Sequence, residues 1–283
     1  MRPEAEQFLD LARLGKNAWW RYVLGVCTIG FFWVVLGFVP YMLLIGSGLE
    51  PTPMLEFVAV NLSIFMMLAG LVVTVKWIHG RPLMSLVAPD LRIDWRRVAR
   101  GAAAWLVIGA VMALAEHLLF PGRYYLSYNA ERFYPFLVAV LLLTPLQAAA
   151  EELVFRGYLM QGLGLLTRRP LAIAVASSIA FTLPHLMNPE VDQYGVAIMA
   201  ANYFTIGMLL ATATLRDGRL ELAIGLHVIN NVFLALMANY EGSALATESV
   251  FTAAELDPVY SLAALVLGAF AFHAWIFRHA SPE

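Results

Sequence analysis

An apolar segment near the middle of the chain reads EELVFR at 151–156, with three ionisable residues among hydrophobic ones. Glu152 and Arg156 are four residues apart, so they share one face of a helix and can form an ion pair. Glu151 points about 100° away around the same helix and is left as the less compensated carboxylate, which suits it to accept a proton. The alternative is a buried ionic brace between helices, although one acid suffices for a brace.

The segment FTLPH at 181–185 carries the first of two histidines in apolar surroundings. Phe181 and His185 are one helical turn apart, and Pro184 predicts a kink that opens space beside the imidazole. A lone histidine in a membrane helix can also simply hydrogen-bond a neighbouring helix, so this segment is not decisive alone.

The segment HVINN at 227–231 carries the second histidine. His227 and Asn231 are at i and i+4 and can face one cavity, whereas Asn230 is expected to point elsewhere. An imidazole and an amide on one face are a plausible pair of donors to an oxyanion, although they can also join helices to one another.

Taken together, these groups indicate hydrolysis of a peptide bond by an activated water. Glu151 and His185 can hold and deprotonate a water for attack on a carbonyl. His227 and Asn231 can stabilise the oxyanion that forms. Ser177 and Ser178 lack a Gly-x-Ser context and the apolar segments contain no pair of aspartates, so serine and aspartyl mechanisms are not predicted.

The depth of these residues in the membrane is predicted from the helical rise. Glu151 and His185 each lie about 25 Å from the turn at 168–169, so they can be level. His227 lies only about 12 Å from Arg219, which does not match unless helix ends are staggered or the fourth helix extends past the membrane.

The elements that position these residues are predicted to be membrane-spanning helices. The 283 residues are 61% hydrophobic and 13% charged, against about 25% charged in a soluble domain. The bilayer must therefore be the solvent for most of the chain, and a net charge of −2 gives no indication of a nucleic-acid partner. The apolar segments long enough to span run at about 19–46, 54–78, 101–120, 133–160, 170–187, 195–215, 219–239 and 258–278.

Basic residues alternate between successive loops, as the positive-inside rule requires. Fifteen of the 18 Lys and Arg residues fall in the terminal segments and loops of one side. We therefore predict an all-α polytopic membrane protein with eight transmembrane helices and both termini in the cytoplasm. Residues 1–283 form one transmembrane domain, in which 133–239 is a catalytic four-helix core.

Two segments outside the spans are predicted to lie at the membrane surface. Residues 1–18 are expected to form an interfacial helix, whose apolar side comprises Phe8, Leu9, Leu11, Ala12 and Leu14. The basic connector 79–100 is expected to contain a short interfacial helix with Ile93, Trp95 and Val98, and its arginines are expected to contact lipid phosphate.

At its three motifs the sequence resembles the CPBP family of CAAX proteases and bacteriocin-processing enzymes, also called the Abi family, which includes the Ras-converting CAAX endopeptidase. The family pattern is Glu-Glu-x-x-x-Arg, then Phe-x-x-x-His, then His-x-x-x-Asn. It is matched here by EELVFR, FTLPH and HVINN. The resemblance covers about 133–239, and the remaining spans match in topology alone.

The resemblance implies an intramembrane endopeptidase and a role for each matched residue. Glu151 and His185 would activate the catalytic water, and His227 and Asn231 would form the oxyanion hole. The supporting residues would be Glu152, Arg156 and Phe181.

The cofactor is left open by the resemblance, because family members are often described as metalloproteases while a metal-free mechanism is also proposed. Glu151, His185 and His227 are the candidate zinc ligands, with water as the fourth. There is no His-Glu-x-x-His motif. The metal-free mechanism is preferred, because Asn231 is a poor zinc ligand but a good oxyanion donor.

The expected substrate is a membrane-associated peptide or a segment of a membrane protein, and the lipid bilayer is the expected surrounding. The short loops suggest a bacterial inner-membrane protein. Two alternatives stay open, a non-enzymatic scaffold or bacteriocin self-immunity protein of the same fold and a proton-coupled transporter. A transporter would often show an internal repeat or paired broken helices, and neither is apparent.

Overall fold

A computed structural model describes residues 1–46, 48, 52–245 and 247–278. Its helices are α1 (Pro3–Asp10), α2 (Trp19–Leu44), α3 (Pro53–His79), α4 (Trp95–Leu119), α5 (Ala130–Leu166), α6 (Pro170–His185), α7 (Pro189–Tyr194), α8 (Val196–Asp217), α9 (Glu221–Leu236) and α10 (Pro258–Ile276). Short 3₁₀ helices follow α1 at Leu11–Leu14 and precede α4 at Leu83–Leu86.

Side-chain caps fix where several of the long helices begin. The Thr52 hydroxyl accepts from the backbone N–H of Leu55 and Pro53 occupies the first turn of α3. The Asn129 side chain caps α5 in the same way. Asp94 caps α4 and Asp257 caps α10. Each cap satisfies backbone donors that a helix end otherwise leaves unpaired.

Large apolar side chains cover the outside of the bundle. Leu114, Leu118 and Phe270 are 58%, 70% and 73% exposed, and such a surface is stable only in contact with lipid. Within the described residues, α2, α3, α4, α5, α8 and α10 are long and apolar enough to cross a membrane. This confirms the prediction of a mostly helical, polytopic membrane protein.

The two remaining apolar helices, α6 and α9, have 16 residues each and fall short of the about 20 residues of a full span. The count of eight spans therefore stays a prediction, as does the cytoplasmic location of both termini. These two short helices carry both histidine motifs, so the site lies where the bundle is thinnest.

The helix α5 is much longer than the predicted span at 133–160. It runs for 37 residues through Pro135 and Pro145, and its turn at Leu153–Leu159 is π-helical. The wider π-turn begins directly after Glu152, and such turns are frequent at functional sites.

Close packing of α4 against α9 places the second histidine motif. A side chain on Gly101 would collide with the carbonyl of Leu222, and one on Gly225 with that of Val98. Glycine at both positions lets the two backbones approach each other, which brings α4 beside His227.

Three local predictions need correction. Trp95 and Val98 belong to the continuous helix α4, because Asp94 caps that helix ahead of them, so no separate interfacial helix forms.

The fold is not purely helical. Short strands β1 (Tyr124–Leu126), β2 (Ala238–Tyr240) and β3 (Phe251–Ala253) form one sheet in the order β1-β3-β2, with β1 antiparallel and β2 parallel to β3. Pro184 lies in the last turn of α6, one residue before the helix ends, so it marks a terminus instead of a kink.

The N-terminal segment forms the predicted helix, but its apolar side packs on protein. Phe8 and Leu9 are fully buried against α5, α6 and α8, in a cluster with Met160, Ile173 and Leu215. An ion pair from Arg168 to Asp10 at 2.6 Å ties the end of α1 to the end of α5, and lowers the pKa of that carboxyl together with Arg13. Contact of this helix with the membrane surface stays a prediction.

Candidate active site

Helices α5, α6 and α9 bring the three predicted motifs to one cavity of about 790 Å³. Its wall includes Glu151 from α5, Phe181 and His185 from α6, and His227 and Asn231 from α9. Residues that are far apart in the sequence are thus collected around a single space inside an apolar bundle.

Glu152 and Arg156 form the ion pair expected from their spacing. Arg156 Nη1 lies 2.8 Å from Glu152 Oε1, and both side chains are fully buried. The guanidinium also donates to the Gly207 carbonyl at 3.2 Å and lies 4.3 Å from the centre of the Phe181 ring. This pair lies behind the cavity wall and neutralises one of the two neighbouring glutamates.

His227 lies between the two glutamates. Its Nδ1 is 2.8 Å from Glu152 Oε1, and its Nε2 is 3.8 Å from Glu151 Oε2. Because a carboxylate only accepts, the hydrogen bond to Glu152 requires a proton on His227 Nδ1. The other ring nitrogen, Nε2, is directed towards Glu151 and the cavity.

His227 and Glu151 are level with each other, since His227 Nε2 lies 3.8 Å from Glu151 Oε2. The depth prediction allowed for this if helix ends are staggered or the fourth helix extends past the membrane. The second condition agrees with the structure, because α5 runs for 37 residues, well beyond the about 20 residues of a full span.

The Glu151 carboxylate is 8% exposed and has no Lys or Arg partner among the described residues. Its only short hydrogen bond is from the Gln147 side-chain amide, one turn earlier on α5. The Gln147 carbonyl in turn accepts from Asn231 Nδ2 at 3.1 Å. Sequence reasoning missed Gln147, although its i, i+4 spacing to Glu151 was the signal that it shares the same face.

Asn230 does not point elsewhere, as its sequence position suggested, but lines the same cavity. Its amide donates to Asn231 Oδ1 at 3.1 Å, and its own oxygen accepts from Trp105 Nε1 at 3.0 Å. Trp105 on α4 therefore fixes Asn230, which in turn orients the Asn231 amide so that its N–H groups face Gln147 and the cavity.

His185 is the last residue of α6, and one of its ring nitrogens is already used. Nδ1 lies 2.8 Å from the Phe181 carbonyl, which can only accept, so Nδ1 carries the proton and Nε2 of the neutral ring is unprotonated. The ring contacts Phe181 and Tyr203, with centroids 4.6 and 4.7 Å apart. In the described structure no hydrogen bond joins it to Glu151, although both line one cavity.

Comparison with known proteins bears on the same region of the chain. The profile of the type II CAAX prenyl endopeptidase Rce1-like family matches residues 130–233, which span α5 to α9 and hold all three motifs. Over these residues the chain is similar to that family. The match confirms the family resemblance drawn from the three motifs, and it supports a peptidase.

One relative extends the similarity beyond the Rce1-like core. Uncharacterized protein YyaK of Bacillus subtilis (strain 168) is 28% identical over 263 residues, which cover 87% of each chain. No solved structure matches the chain.

The candidate site does not present a ready set of metal ligands. Among the residues that the structure describes, no three His, Cys, Asp or Glu side chains are close enough to hold one metal ion. Glu151 and His227 face each other, whereas the His185 ring lies against Phe181 and Tyr203 and its Nδ1 is bonded to the Phe181 carbonyl. The three candidate zinc ligands thus do not fit a three-ligand site in this arrangement.

The sequence reasoning treated Glu190 as a loop residue and missed it as a further acid of the cavity. Glu190 on the short helix α7 is 3% exposed and lines the cavity. Its position directly after the Asn188–Pro189 turn gives no periodic signal, so only the tertiary structure shows that it is buried.

Proposed function

We propose that this chain is an intramembrane endopeptidase, in which Glu151 and His185 activate a water for attack on a peptide carbonyl. The observation that carries the proposal is the difference between the surroundings of two adjacent glutamates. Glu152 is bonded to Arg156 and to His227 at 2.8 Å, whereas Glu151 faces the cavity, has no Lys or Arg partner among the described residues and lies 3.8 Å from His227 Nε2. A carboxylate without a Lys or Arg partner beside open space in a membrane protein indicates function.

In the proposed mechanism a water lies between Glu151 and the free Nε2 of His185. Glu151 takes one proton of the water while the water oxygen attacks the carbonyl carbon. Glu151 returns that proton to the leaving amine when the carbon–nitrogen bond breaks. The tetrahedral oxyanion accepts from Asn231 and from the protonated ring of His227, with Glu152 stabilising the positive charge on that ring.

The oxyanion role of Asn231 predicts a loss of rate with the fold intact. Asn231→Ala is expected to lower kcat by about 10²–10³-fold with KM little changed, because the lost donor acts on charge that develops in the transition state. Asn61→Ala is the matched control, since Asn61 lines the same cavity but donates to the Phe57 carbonyl of its own helix. Equal losses in the two variants would contradict the role.

The charge of the cavity wall bears on the substrate. Among the described residues the wall contains no Lys or Arg, but it contains the acids Glu116, Glu151, Glu190, Glu255 and Asp257. Arg123 lies behind the wall and pairs with two of them, at 2.7 Å to Glu116 and 2.9 Å to Asp257. No Lys or Arg of the described wall is therefore available to bind a free terminal carboxylate, which favours cleavage within a peptide or a membrane-protein segment.

This prediction is tested with two peptides that differ only at the C-terminus. The amidated peptide is expected to have a KM about 2- to 10-fold lower than the free acid when the scissile bond lies near that end, and the difference should shrink at high salt. A preference for the free acid would contradict this view of the cavity and would favour recognition of a terminal carboxylate.

The proposed activity is tested with purified protein in detergent and a library of quenched peptides. Wild-type protein is expected to cleave members of the library, while Glu151→Ala and His185→Ala do not. Cleavage that survives both substitutions would rule out the mechanism, and a folded wild type with no cleavage would favour a scaffold or self-immunity protein. The similarity to a Bacillus subtilis protein supports a bacterial source, and location in the inner membrane stays a prediction.

A further inference from the structure

Glu190 is a buried acid whose partners are all uncharged. Its Oε1 accepts from the Tyr203 hydroxyl at 2.6 Å and from the Tyr240 hydroxyl at 3.3 Å. In the described part of the chain it makes no ion pair, and Oε2 has no hydrogen-bond partner. Burial and this carboxylate raise the pKa of Tyr240, so the Tyr240 hydroxyl stays protonated and donates. A buried acid without a cation partner in a membrane protein indicates a functional role.

Tyr203 connects this acid to His185. Its hydroxyl donates to Glu190 and accepts from Asn188 Nδ2 at 2.9 Å. Its ring lies against the imidazole, with centroids 4.7 Å apart and an angle of 37° between the planes. Two hydrogen bonds at one end of the ring therefore fix the surface that the imidazole packs against.

The contact between Tyr203 and His185 is made by the rings and not by the hydroxyl. The Tyr203 proton is directed to Glu190, so the residues do not form a proton relay to the imidazole. The effect of Tyr203 on His185 must therefore be on the orientation of the imidazole ring. His185 ends α6, where the helix no longer confines it, and it is fixed only by the Phe181 carbonyl and the two rings.

We propose that Glu190, acting through Tyr203, is a positioning residue that holds the His185 ring with Nε2 directed at the catalytic water. The proposal rests on the proposed role of His185 as part of the water-activating pair. Supports of this kind keep a reacting group within a few tenths of an ångström of its working geometry. Without the hydroxyl–carboxylate bond, the Tyr203 ring and the imidazole are free to turn together.

Kinetics of four variants test the proposal. Tyr203→Phe and Glu190→Leu, which leaves no acceptor for the Tyr203 hydroxyl, are each expected to lower kcat by about 10-fold with KM within about twofold of wild type. The double variant should be no slower than the slower single one, because both substitutions act on one bond. Tyr240→Phe is the matched control, since it removes a hydroxyl from the same carboxylate but does not touch His185, and we expect kcat within about twofold of wild type.

Additive losses, a loss confined to KM, or wild-type kcat in Tyr203→Phe would overturn the proposal. If Glu190→Leu fails to fold, Tyr203→Phe decides alone, because it keeps the ring and removes a single oxygen.

A second measurement is independent of catalysis. Nitrogen-15 spectra of protein labelled at its six histidines report the tautomer and surroundings of each ring, and His185→Gln assigns the signal of interest. The His185 signals should shift in Tyr203→Phe and in Glu190→Leu but not in Tyr240→Phe. Unchanged signals would overturn the proposal even if the protein is a peptidase, whereas shifted signals without any cleavage would indicate that the proposed function fails and the positioning holds.

Discussion

Glu151→Gln is expected to lower kcat by about 10²–10⁴-fold, because an amide cannot take the proton of the attacking water. The substitution keeps the size of the side chain and its contact with Gln147, so the melting temperature in detergent should change little. The measurement is steady-state cleavage of a quenched peptide, together with a thermal scan of the same preparation.

Glu255→Gln is the control for this first prediction. Glu255 lies on the same cavity wall but is exposed and outside the helices, so its loss removes a charge from the cavity without removing the base. We expect a rate within about twofold of wild type. If Glu151→Gln retains more than a tenth of the wild-type rate, Glu151 is not the group that accepts the proton.

The second large effect is on stability. Arg156→Met should lower the free energy of unfolding by about 3–5 kcal/mol, because it leaves the fully buried Glu152 without its cation. The measurement is the unfolding midpoint in detergent with increasing denaturant.

The double variant Glu152→Leu with Arg156→Met separates stability from activity. Replacing a buried ion pair by apolar side chains of similar volume is often nearly neutral, so most of the stability should return. Cleavage should not return, because His227 Nδ1 loses the carboxylate that orients it. A double variant as unstable as Arg156→Met would show that the charge pair itself is not the source of the loss, and recovery of cleavage would contradict the role of Glu152.

The residues of the site were largely predictable because their spacing is local. Helical periodicity alone placed Glu152 beside Arg156, and His227 and Asn231 on one face. The relative depth of His227 stayed conditional, since it depends on how the helix ends are staggered and on whether α5 extends past the membrane, and hydropathy gives neither.

The polar contacts that complete the site arise from tertiary packing, which sequence spacing does not reveal. The spacing of Gln147 to Glu151 indicated a shared helix face, but the bonds of Gln147 to Asn231 and of Asn230 to Trp105 join different helices and could not be predicted. Glu190 resembled an ordinary loop acid, and only the approach of Tyr203 and Tyr240 shows that it is buried. The small sheet joins segments more than a hundred residues apart, and its three-residue strands are too short to show alternation.

The most direct test of the central claim is the chemical identity of the products that wild-type protein makes in liposomes. A cleavable peptide is incubated in oxygen-18 water with a free amine present, and the fragments are weighed by mass spectrometry. Direct attack by an activated water predicts two fragments, one oxygen-18 in the new carboxylate and no adduct with the amine. Transfer of the peptide to the amine, which indicates a covalent acyl-enzyme intermediate, would contradict the account.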